Sequence, residues 1–526
     1  MALPIAPKPL LRRFHQARWD EPVIFELSVP GERGVLVSEI EVEIGKLIST
    51  ELHPVIARKV APALPQMGQM KVLKHYLRLS QENLGADLNV DIGQGTCTMK
   101  YSPKVNDLII RRAELFDLHP LQDPDKSQGA LEIIWRTQEI LAEVSGLDAV
   151  SLQTSSGSAA IWANVAMIRA YFQSIGEGDI RDEIVTTIFS HPSNAATAKA
   201  AGYKIITLHP DENGYPNIEE YKKVISHRTA ALMITNPEDT GIFNPHIKEI
   251  VELFHSVGAL ASYDQANANG ILGITRAKEA GFDLCHFNLH KTFSTPHACG
   301  GPGAGASCVT AKLEKFLPSP IIVKQGERFI LDDDRPSSIG KVAPFYGVLP
   351  NIVRAYSWIM NLGAKGLREV AEVAVLNNNY LLKNMIQIKG ATAPYAPNRP
   401  RVEQVRYSWN ELFEKTGITT EEIGLRALDF GLHYWTSHHP FIVPQPLTLE
   451  PTEAYSREEL DEYLNVLRHI AKEAVDNPEI IRTAPHNQTV HQTAHEDFDN
   501  PERWAITWRA YLRKYPEVSK RKRAKS

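Results

Sequence analysis

The chain has 526 residues, of which 43% are hydrophobic and 23% are charged. This length can supply a large core and more than one domain, and we expect two domains plus terminal extensions. A net charge of −5 argues against the basic field that nucleic-acid-binding proteins present. No apolar run approaches the roughly 20 residues of a membrane span, and we expect no signal peptide. The four cysteines form no CxxC pair, which favours a reducing, cytoplasmic location.

Four regions follow one another along the chain. We predict an N-terminal arm over residues 1–90, a large cofactor-binding domain over 91–350, a small α+β domain over 351–484 and a tail over 485–526. The arm mixes prolines and charges with one amphipathic stretch at 72–79. The tail is polar and ends in a short basic run at 520–525, which we interpret as a solubilising extension rather than a nucleic-acid patch.

Strands and helices alternate through the first half of the large domain. The apolar spacing predicts helices at 129–146, 158–172, 194–201 and 247–255, and strands at 149–153, 183–188, 204–208, 230–235 and 260–263. This alternation predicts an α/β fold with a mostly parallel sheet, whose ligands bind beyond the carboxyl ends of the strands. A glycine- and proline-rich stretch at 296–347 interrupts the pattern. Helices are then predicted at 352–385 and 457–474.

A lysine and an aspartate carry the main chemical signal. Lys291 lies in a turn before the glycine-rich residues 300–305, and Asp264 ends an apolar run upstream. Isolated lysines are commonly solvated surface residues, and an aspartate at a strand end can simply cap a turn. Together, however, they are typical of an enzyme that binds pyridoxal 5'-phosphate. Lys291 would form a Schiff base with the aldehyde, and Asp264 would keep the pyridine nitrogen protonated.

Further candidate cofactor-binding residues follow the ends of predicted strands. The helix start at Ser156, Gly157 and Ser158 could be a simple N-cap, but it also suits a phosphate group. We predict that His191 stacks on the cofactor ring as a catalytic residue and that Asn236 bonds its phenolic oxygen. The remaining cofactor-binding candidates are the small Ala266, which would lie against the flat ring, and His290.

The cysteines and histidines do not predict a metal site. Their spacings match no standard zinc pattern. The residues concerned are Cys97, Cys285, Cys299, Cys308, His286, His290 and His297.

Several motifs resemble one family, the P-protein of the glycine cleavage system (glycine decarboxylase). The similarity extends from about residue 20 to about residue 490, and it is greatest to the cofactor-carrying subunit 2 of the two-subunit form. The motifs are NLHKTFSTP at 288–296, KHYLRLSQ at 74–81, TCTMKYSP at 96–103, AVLNNNYL at 374–381 and EPTE at 450–453.

The resemblance implies a fold, a reaction and partners. The fold would be the aminotransferase-like fold type I, with a large and a small domain. Lys291, Asp264 and His191 would be the Schiff-base lysine, the pyridinium partner and the ring-stacking group. The enzyme would decarboxylate glycine and transfer the aminomethyl group to the lipoyl arm of the H-protein. It would work with a homologous subunit 1, as an oligomer.

The chain departs from the family motifs at several positions near the predicted site. The departures lie at 92–97, 155–161, 191–196, 264–270 and 436–441; at the helix start near 158–161, apolar residues replace a His and a Glu. One alternative is therefore a divergent pyridoxal phosphate enzyme that acts on glycine or another small amino acid with a different acceptor. Another is a non-catalytic partner subunit, which the presence of both Lys291 and Asp264 argues against.

Overall fold

The computed structural model describes residues 11–36, 38–60, 62–85, 90, 92–93, 101–295, 303–433, 442–489 and 507–517. Cys97, Cys299, His297, most of the TCTMKYSP motif and the departures at 436–441 lie outside these residues. The chain forms two compact units, residues 1–13 with 86–483, and residues 14–85 with 484–526. The predicted large and small domains both fall within the first unit, and the boundary between them stays a prediction.

The elements are numbered in chain order. The strands are β1 Ala149–Ser151, β2 Glu183–Thr187, β3 Lys204–Leu208, β4 Thr229–Thr235, β5 Leu260–Gln265, β6 Leu284–Asn288, β7 Gly305–Val309, β8 Ile321–Gln325, β9 Arg328–Asp332, β10 Val405–Ser408 and β11 Pro446–Leu449. The helices are α1 Val42–Glu51, α2 Gln69–Gln81, α3 Lys104–Ile110, α4 Ala113–Phe116, α5 Gln128–Ser145, α6 Gly157–Ser174, α7 Pro192–Ala200, α8 Ile218–Val224, α9 Ile247–Ser256, α10 Ala311–Glu314, α11 Leu349–Met385, α12 Asn410–Thr416, α13 Thr420–Leu428, α14 Arg457–Asp476, α15 Glu479–Arg482 and α16 Trp508–Lys514.

A seven-stranded sheet in the order β1-β7-β6-β5-β4-β2-β3 forms the centre of the first unit. Strand β7 is antiparallel to both of its neighbours, and the other pairings in the sheet are parallel. The predicted mostly parallel sheet is therefore confirmed. We predicted that the glycine-rich stretch interrupts the alternation of strands and helices. This prediction is wrong in one respect, because the stretch contains β7, which lies between β1 and β6 in the sheet.

The sheet is buried on both faces, as parallel sheets usually are. Along β4, Leu232 and Ile234 join an apolar cluster with α5, α9 and α11, whereas Ala231 and Met233 join a second cluster with α6. Alternate side chains of one strand thus contribute to two cores. This burial fixes the register of the strands and holds their carboxyl ends at one edge.

The smaller part of the first unit is built on the antiparallel β10–β11 ribbon and helices α12 to α15. Its core contains Trp409, Tyr407 and Tyr463, all fully buried. Capping boxes begin α13 at Thr419 and α14 at Ser456 and satisfy the first N–H groups of these helices. The packing therefore fixes the orientation of the loops that follow this ribbon.

The second unit combines α1, α2 and α16. The rings of Phe25 and Trp508 stack at 4.9 Å, and the Tyr511 hydroxyl donates to Glu26 over 2.7 Å. Segments from both ends of the sequence thus pack together in this unit.

Across the parts of the chain that the structure describes, no helix is long and apolar enough to cross a bilayer.

Candidate active site

Asp264 lies near the carboxyl end of β5 and is 3% exposed. The Ala266 amide donates to its Oδ1 over 3.0 Å, and the Asn194 side-chain amide donates to its Oδ2 over 2.8 Å. His286, on the adjacent strand β6, places Nε2 3.3 Å from Oδ1. Groups from three elements therefore surround one buried carboxyl group.

These contacts determine the charge of Asp264. Burial by itself would raise the pKa of this carboxyl group, but His286, His191 and the two N–H donors outweigh it, so the pKa is lowered. The group is therefore an ionised carboxylate in a site that excludes water. Such a carboxylate can hold a proton on a neighbouring ring nitrogen.

Lys291 lies in the turn that follows β6 and is 8% exposed. The turn is held at both ends, because Leu289 donates its amide to Ala304 over 2.9 Å and the Thr295 hydroxyl donates to the Asn351 carbonyl over 3.1 Å. Thr292 Oγ1 accepts the Ala268 amide over 2.8 Å. The backbone that carries the lysine amine is thus fixed to the loop after Asp264.

The start of α6, residues 156–158, is the predicted anion site. Ser156 is its N-cap and accepts the Ala159 amide over 3.1 Å. The exposed Ser158 hydroxyl lies 2.9 Å from the Ser193 hydroxyl, in the first turn of α7. Two helix N-termini therefore meet here, and their free N–H groups and positive dipole ends suit a phosphate group.

The anion site is tightly packed against the lysine turn at Gly157. A Cβ atom on Gly157 would lie 2.4 Å from Asn288 Oδ1. Glycine therefore allows α6 to approach the end of β6.

His191 is the N-cap of α7, and its Nδ1 accepts the Ser193 amide over 3.2 Å. Its imidazole is exposed and close enough to Asp264 to lower the pKa of that carboxyl group. This position is compatible with the predicted ring-stacking role, which stays a prediction.

Two of the predicted contacts use side chains that already bind the backbone. The Asn236 amide group accepts from the Asn244 amide over 2.8 Å and donates to the Asn244 carbonyl over 3.3 Å. His290 is buried, and its Nδ1 accepts the Ala304 amide over 3.1 Å. Both residues shape the edge of the site, and their contact with a cofactor stays a prediction, as does that of Ala266.

Two family models match the chain. A model described as "Aminotransferase class-V" matches residues 127–321, and one described as "Glycine dehydrogenase, C-terminal domain" matches residues 370–495. The probable glycine dehydrogenase (decarboxylating) subunit 2 of Pyrococcus horikoshii is 42% identical over 501 residues, covering 95% of this chain and 98% of the relative. The protein of the same name from Halalkalibacterium halodurans is 39% identical, covering 90% and 95%.

The chain belongs to the family of glycine dehydrogenase (decarboxylating) subunit 2 proteins. The predicted family resemblance is confirmed. Enzymes of this family use pyridoxal phosphate, and the predicted cofactor and enzyme type are confirmed with it.

Solved structures agree on the fold. A glycine decarboxylase (P-protein) of the glycine cleavage system, crystallised in inhibitor-bound form, has a TM-score of 0.69 at 19% identity and covers 83% of this chain and 100% of its own. Sphingosine-1-phosphate lyase of Burkholderia pseudomallei has a TM-score of 0.57 at 13% identity, covering 82% and 94%. The aminotransferase-like fold type I is thus confirmed.

The residues at this edge of the sheet fit pyridoxal phosphate. A lysine amine, an ionised carboxylate and two adjacent helix N-termini are all present. In addition, Thr235 Oγ1, Gln265 Oε1 and Asn288 Oδ1, at the ends of β4, β5 and β6, are buried without a hydrogen-bond partner among the residues that the structure describes. Unpaired buried oxygens of this kind are costly unless a polar ligand completes them.

Sequence reasoning missed Asn194, His286 and Glu403. Asn194 could have been found, because it follows the predicted His191 by three residues at the start of a helix. His286 was considered only as a metal ligand, since its pairing with Asp264 depends on strand order. Glu403 gave no signal, because 112 residues separate it in sequence from the lysine turn that it approaches.

Glu403 is 1% exposed, and its carboxyl group packs against the backbone at Gly270. Burial and the nearby Glu450 raise its pKa well above the ordinary value, although Lys291 opposes this shift. The smaller part of the unit thus contributes a buried carboxyl group with a raised pKa close to the lysine turn.

Proposed function

We propose that this chain is the pyridoxal-phosphate-carrying subunit of glycine decarboxylase. It would decarboxylate glycine and transfer the aminomethyl group to the lipoyl arm of the H-protein. The observation that carries this proposal is the buried, ionised Asp264 at the same sheet edge as the buried Lys291, in a chain whose relatives bear the glycine dehydrogenase name.

Different residues would bind different parts of the cofactor. When bound, pyridoxal phosphate supplies an electron sink for the electron pair that remains when a substrate loses CO2. Lys291 would provide the amine that holds the aldehyde, and Asp264 would retain the proton at the ring nitrogen. The starts of α6 and α7 would bind the phosphate group, and His191 would stack on the ring.

The departures from the family motif at the start of α6 affect the site less than their number suggests. Ile161 is 2% exposed and packs in the apolar cluster with Val165 and Phe172. Ala159, which stands where the family motif has His, is half-buried, and only Ser158 of residues 158–161 is exposed. The replacement at Ile161 therefore serves the packing of α6 on the sheet, which favours glycine decarboxylation over the divergent alternative.

The same proposal extends to partners and location. The relatives are named as a second subunit, so we propose assembly with a homologous subunit 1. We further propose that the lipoylated H-protein is the acceptor, that the enzyme is an oligomer and that it acts in the cytoplasm.

Exchange of labelled bicarbonate into the carboxyl group of glycine tests this proposal. The purified protein, loaded with cofactor, is assayed alone and then with a subunit 1 homologue and a lipoylated H-protein. We expect exchange that depends on both partners and that is lost in Lys291→Ala. A loaded protein that exchanges no label with glycine, but releases CO2 from another amino acid, would instead establish the divergent enzyme.

A further inference from the structure

His286 faces Asp264 across two adjacent parallel strands. The two residues are register partners in β5 and β6, and the imidazole is 1% exposed. Its Nε2 lies 3.3 Å from Asp264 Oδ1, yet it has no aligned hydrogen bond with any residue that the structure describes. An unsatisfied buried polar group of this type destabilises the folded state, so its presence calls for a functional explanation.

Charged groups from several elements surround this imidazole. Burial is the largest influence on the pKa of His286 and lowers it; Asp264 opposes this effect, whereas Lys291 and His191 add to it. These groups come from β5, the turn after β6 and the start of α7. Their net effect lowers the pKa of His286.

The imidazole contacts one oxygen of the Asp264 carboxylate, because its Nε2 lies 3.3 Å from Oδ1. Asn194 contacts the other oxygen, Oδ2, and thus the two side chains constrain the carboxylate from both sides.

We propose that His286 is a positioning residue for Asp264, a buried imidazole that fixes the carboxylate in the orientation that faces the ring nitrogen of the cofactor. The proposal rests on the proposed function only through the identity of the cofactor. It assigns no role to His286 in contact with glycine or with the acceptor.

The test follows the ring nitrogen directly. Pyridoxal phosphate labelled with ¹⁵N in the ring is bound to the wild-type protein, His286→Leu and His286→Gln, and the ¹⁵N resonance is recorded across pH. We expect His286→Leu to lower the pH at which the ring nitrogen loses its proton by about one unit. The dissociation constant of the cofactor should rise about tenfold. His286→Gln, which retains an uncharged N–H donor, should give a smaller shift in the same direction.

A second histidine–aspartate pair in the same unit provides the matched control. His255 Nε2 lies 2.9 Å from Asp283 Oδ2, and Asp283 directly precedes β6, at the opposite end of this strand from the site. His255→Gln should leave the ring-nitrogen titration unchanged, whereas Asp264→Asn should give the largest change.

Two results would overturn the proposal. One is a titration in the His286 variants that coincides with that of the wild-type protein. The other is an equal shift in His255→Gln, which would indicate general loosening of the sheet. If His286→Leu does not fold, the Gln variant decides the question. Failure of glycine exchange leaves this result intact, because the titration requires only the bound cofactor.

Discussion

Burial alone does not determine the charge of a carboxyl group in this protein. Asp264, Glu238 and Glu403 are all less than 5% exposed. Asp264 faces two histidines and two N–H donors and has a lowered pKa, whereas burial raises the pKa of Glu238 to about 8 and that of Glu403 well above its ordinary value. The residues around each group therefore decide whether burial raises its pKa, as at Glu238 and Glu403, or is outweighed, as at Asp264.

Lys291→Ala tests the central residue of the site. Removal of the amine leaves no group that can bond the aldehyde, so we expect the visible absorbance of the bound cofactor to disappear. Lys365→Ala, at a lysine whose side chain is 90% exposed, is the control and should retain the band. A Lys291 variant with an unchanged visible spectrum would contradict the assignment.

Glu238→Gln tests the raised pKa of this buried carboxyl group. The Thr187 hydroxyl donates to Glu238, and the pKa of this group rises from 4.5 to about 8 on burial. The folded state therefore binds this proton more tightly than the unfolded state does. The stability contributed by the proton is complete below about pH 4.5 and is lost as the pH rises towards about 8, by up to about 5 kcal/mol.

The measurement is the thermal midpoint of Glu238→Gln relative to the wild-type protein across this pH range. The variant has no proton to lose, so its relative midpoint should rise with pH. Glu327→Gln, in the exposed turn between β8 and β9, should show no such trend. A flat difference for Glu238→Gln would show that its carboxyl group has an ordinary pKa in the folded protein.

At the scale of elements, the sequence was most informative where periodicity was long and regular. The predicted helix at 129–146 corresponds to Gln128–Ser145 and the predicted strand at 204–208 to Lys204–Leu208. Strands β6 and β7 were missed, because Leu284–Asn288 runs directly into the lysine motif and Gly305–Val309 lies within a glycine-rich stretch. Local pattern identifies an element, whereas sheet order depends on packing between residues that are distant in sequence.

The same distinction applies to the candidate site. Lys291 and Asp264 could be predicted because their residue types and positions at element ends are informative in themselves. His286 could not be assigned, since its role arises only when β6 pairs with β5. Glu403 could not be assigned to the site either, because it approaches the site only through the packing of the loop before β10 against Gly270.

Gly157→Ala tests the approach of α6 to the lysine turn. The added methyl group would displace the buried side chain of Asn288. The main-chain carbonyl of the same residue accepts the Lys291 amide, so the displacement would reach the lysine turn. We expect a destabilisation of about 1–3 kcal/mol and weaker cofactor binding. Gly129→Ala, where open space surrounds the glycine in the first turn of α5, should be neutral or stabilising. Equal effects of the two substitutions on cofactor affinity would exclude a close fit at Gly157.

At the scale of the whole molecule, polar contacts join the seven-stranded sheet to the smaller part of the first unit. Arg406 on β10 donates to Asp239 over 2.7 Å, and Asn267, in the loop after Asp264, donates to Glu450 over 2.8 Å. The loops that carry the site are therefore held from both sides, and sequence patterns gave no indication of this.

Arg406→Met tests that connection. The arginine side chain is 2% exposed and Asp239 is 19% exposed, so removal of the cation leaves a largely buried carboxylate without its ion pair. We expect a loss of about 3 kcal/mol and a lower denaturant midpoint. Arg368→Met, which removes an exposed pair with Glu372, should change the midpoint little. A midpoint for Arg406→Met equal to that of this control would contradict the role of the ion pair.

The most direct test of the proposed cofactor site is to identify chemically the lysine that binds the cofactor. Borohydride reduction makes the link between the cofactor aldehyde and its lysine permanent, and peptide mapping by mass spectrometry then identifies the modified residue. We predict stoichiometric modification of Lys291 in the wild-type protein and no modified lysine in Lys291→Ala. Modification of another lysine, with Lys291 intact, would contradict it.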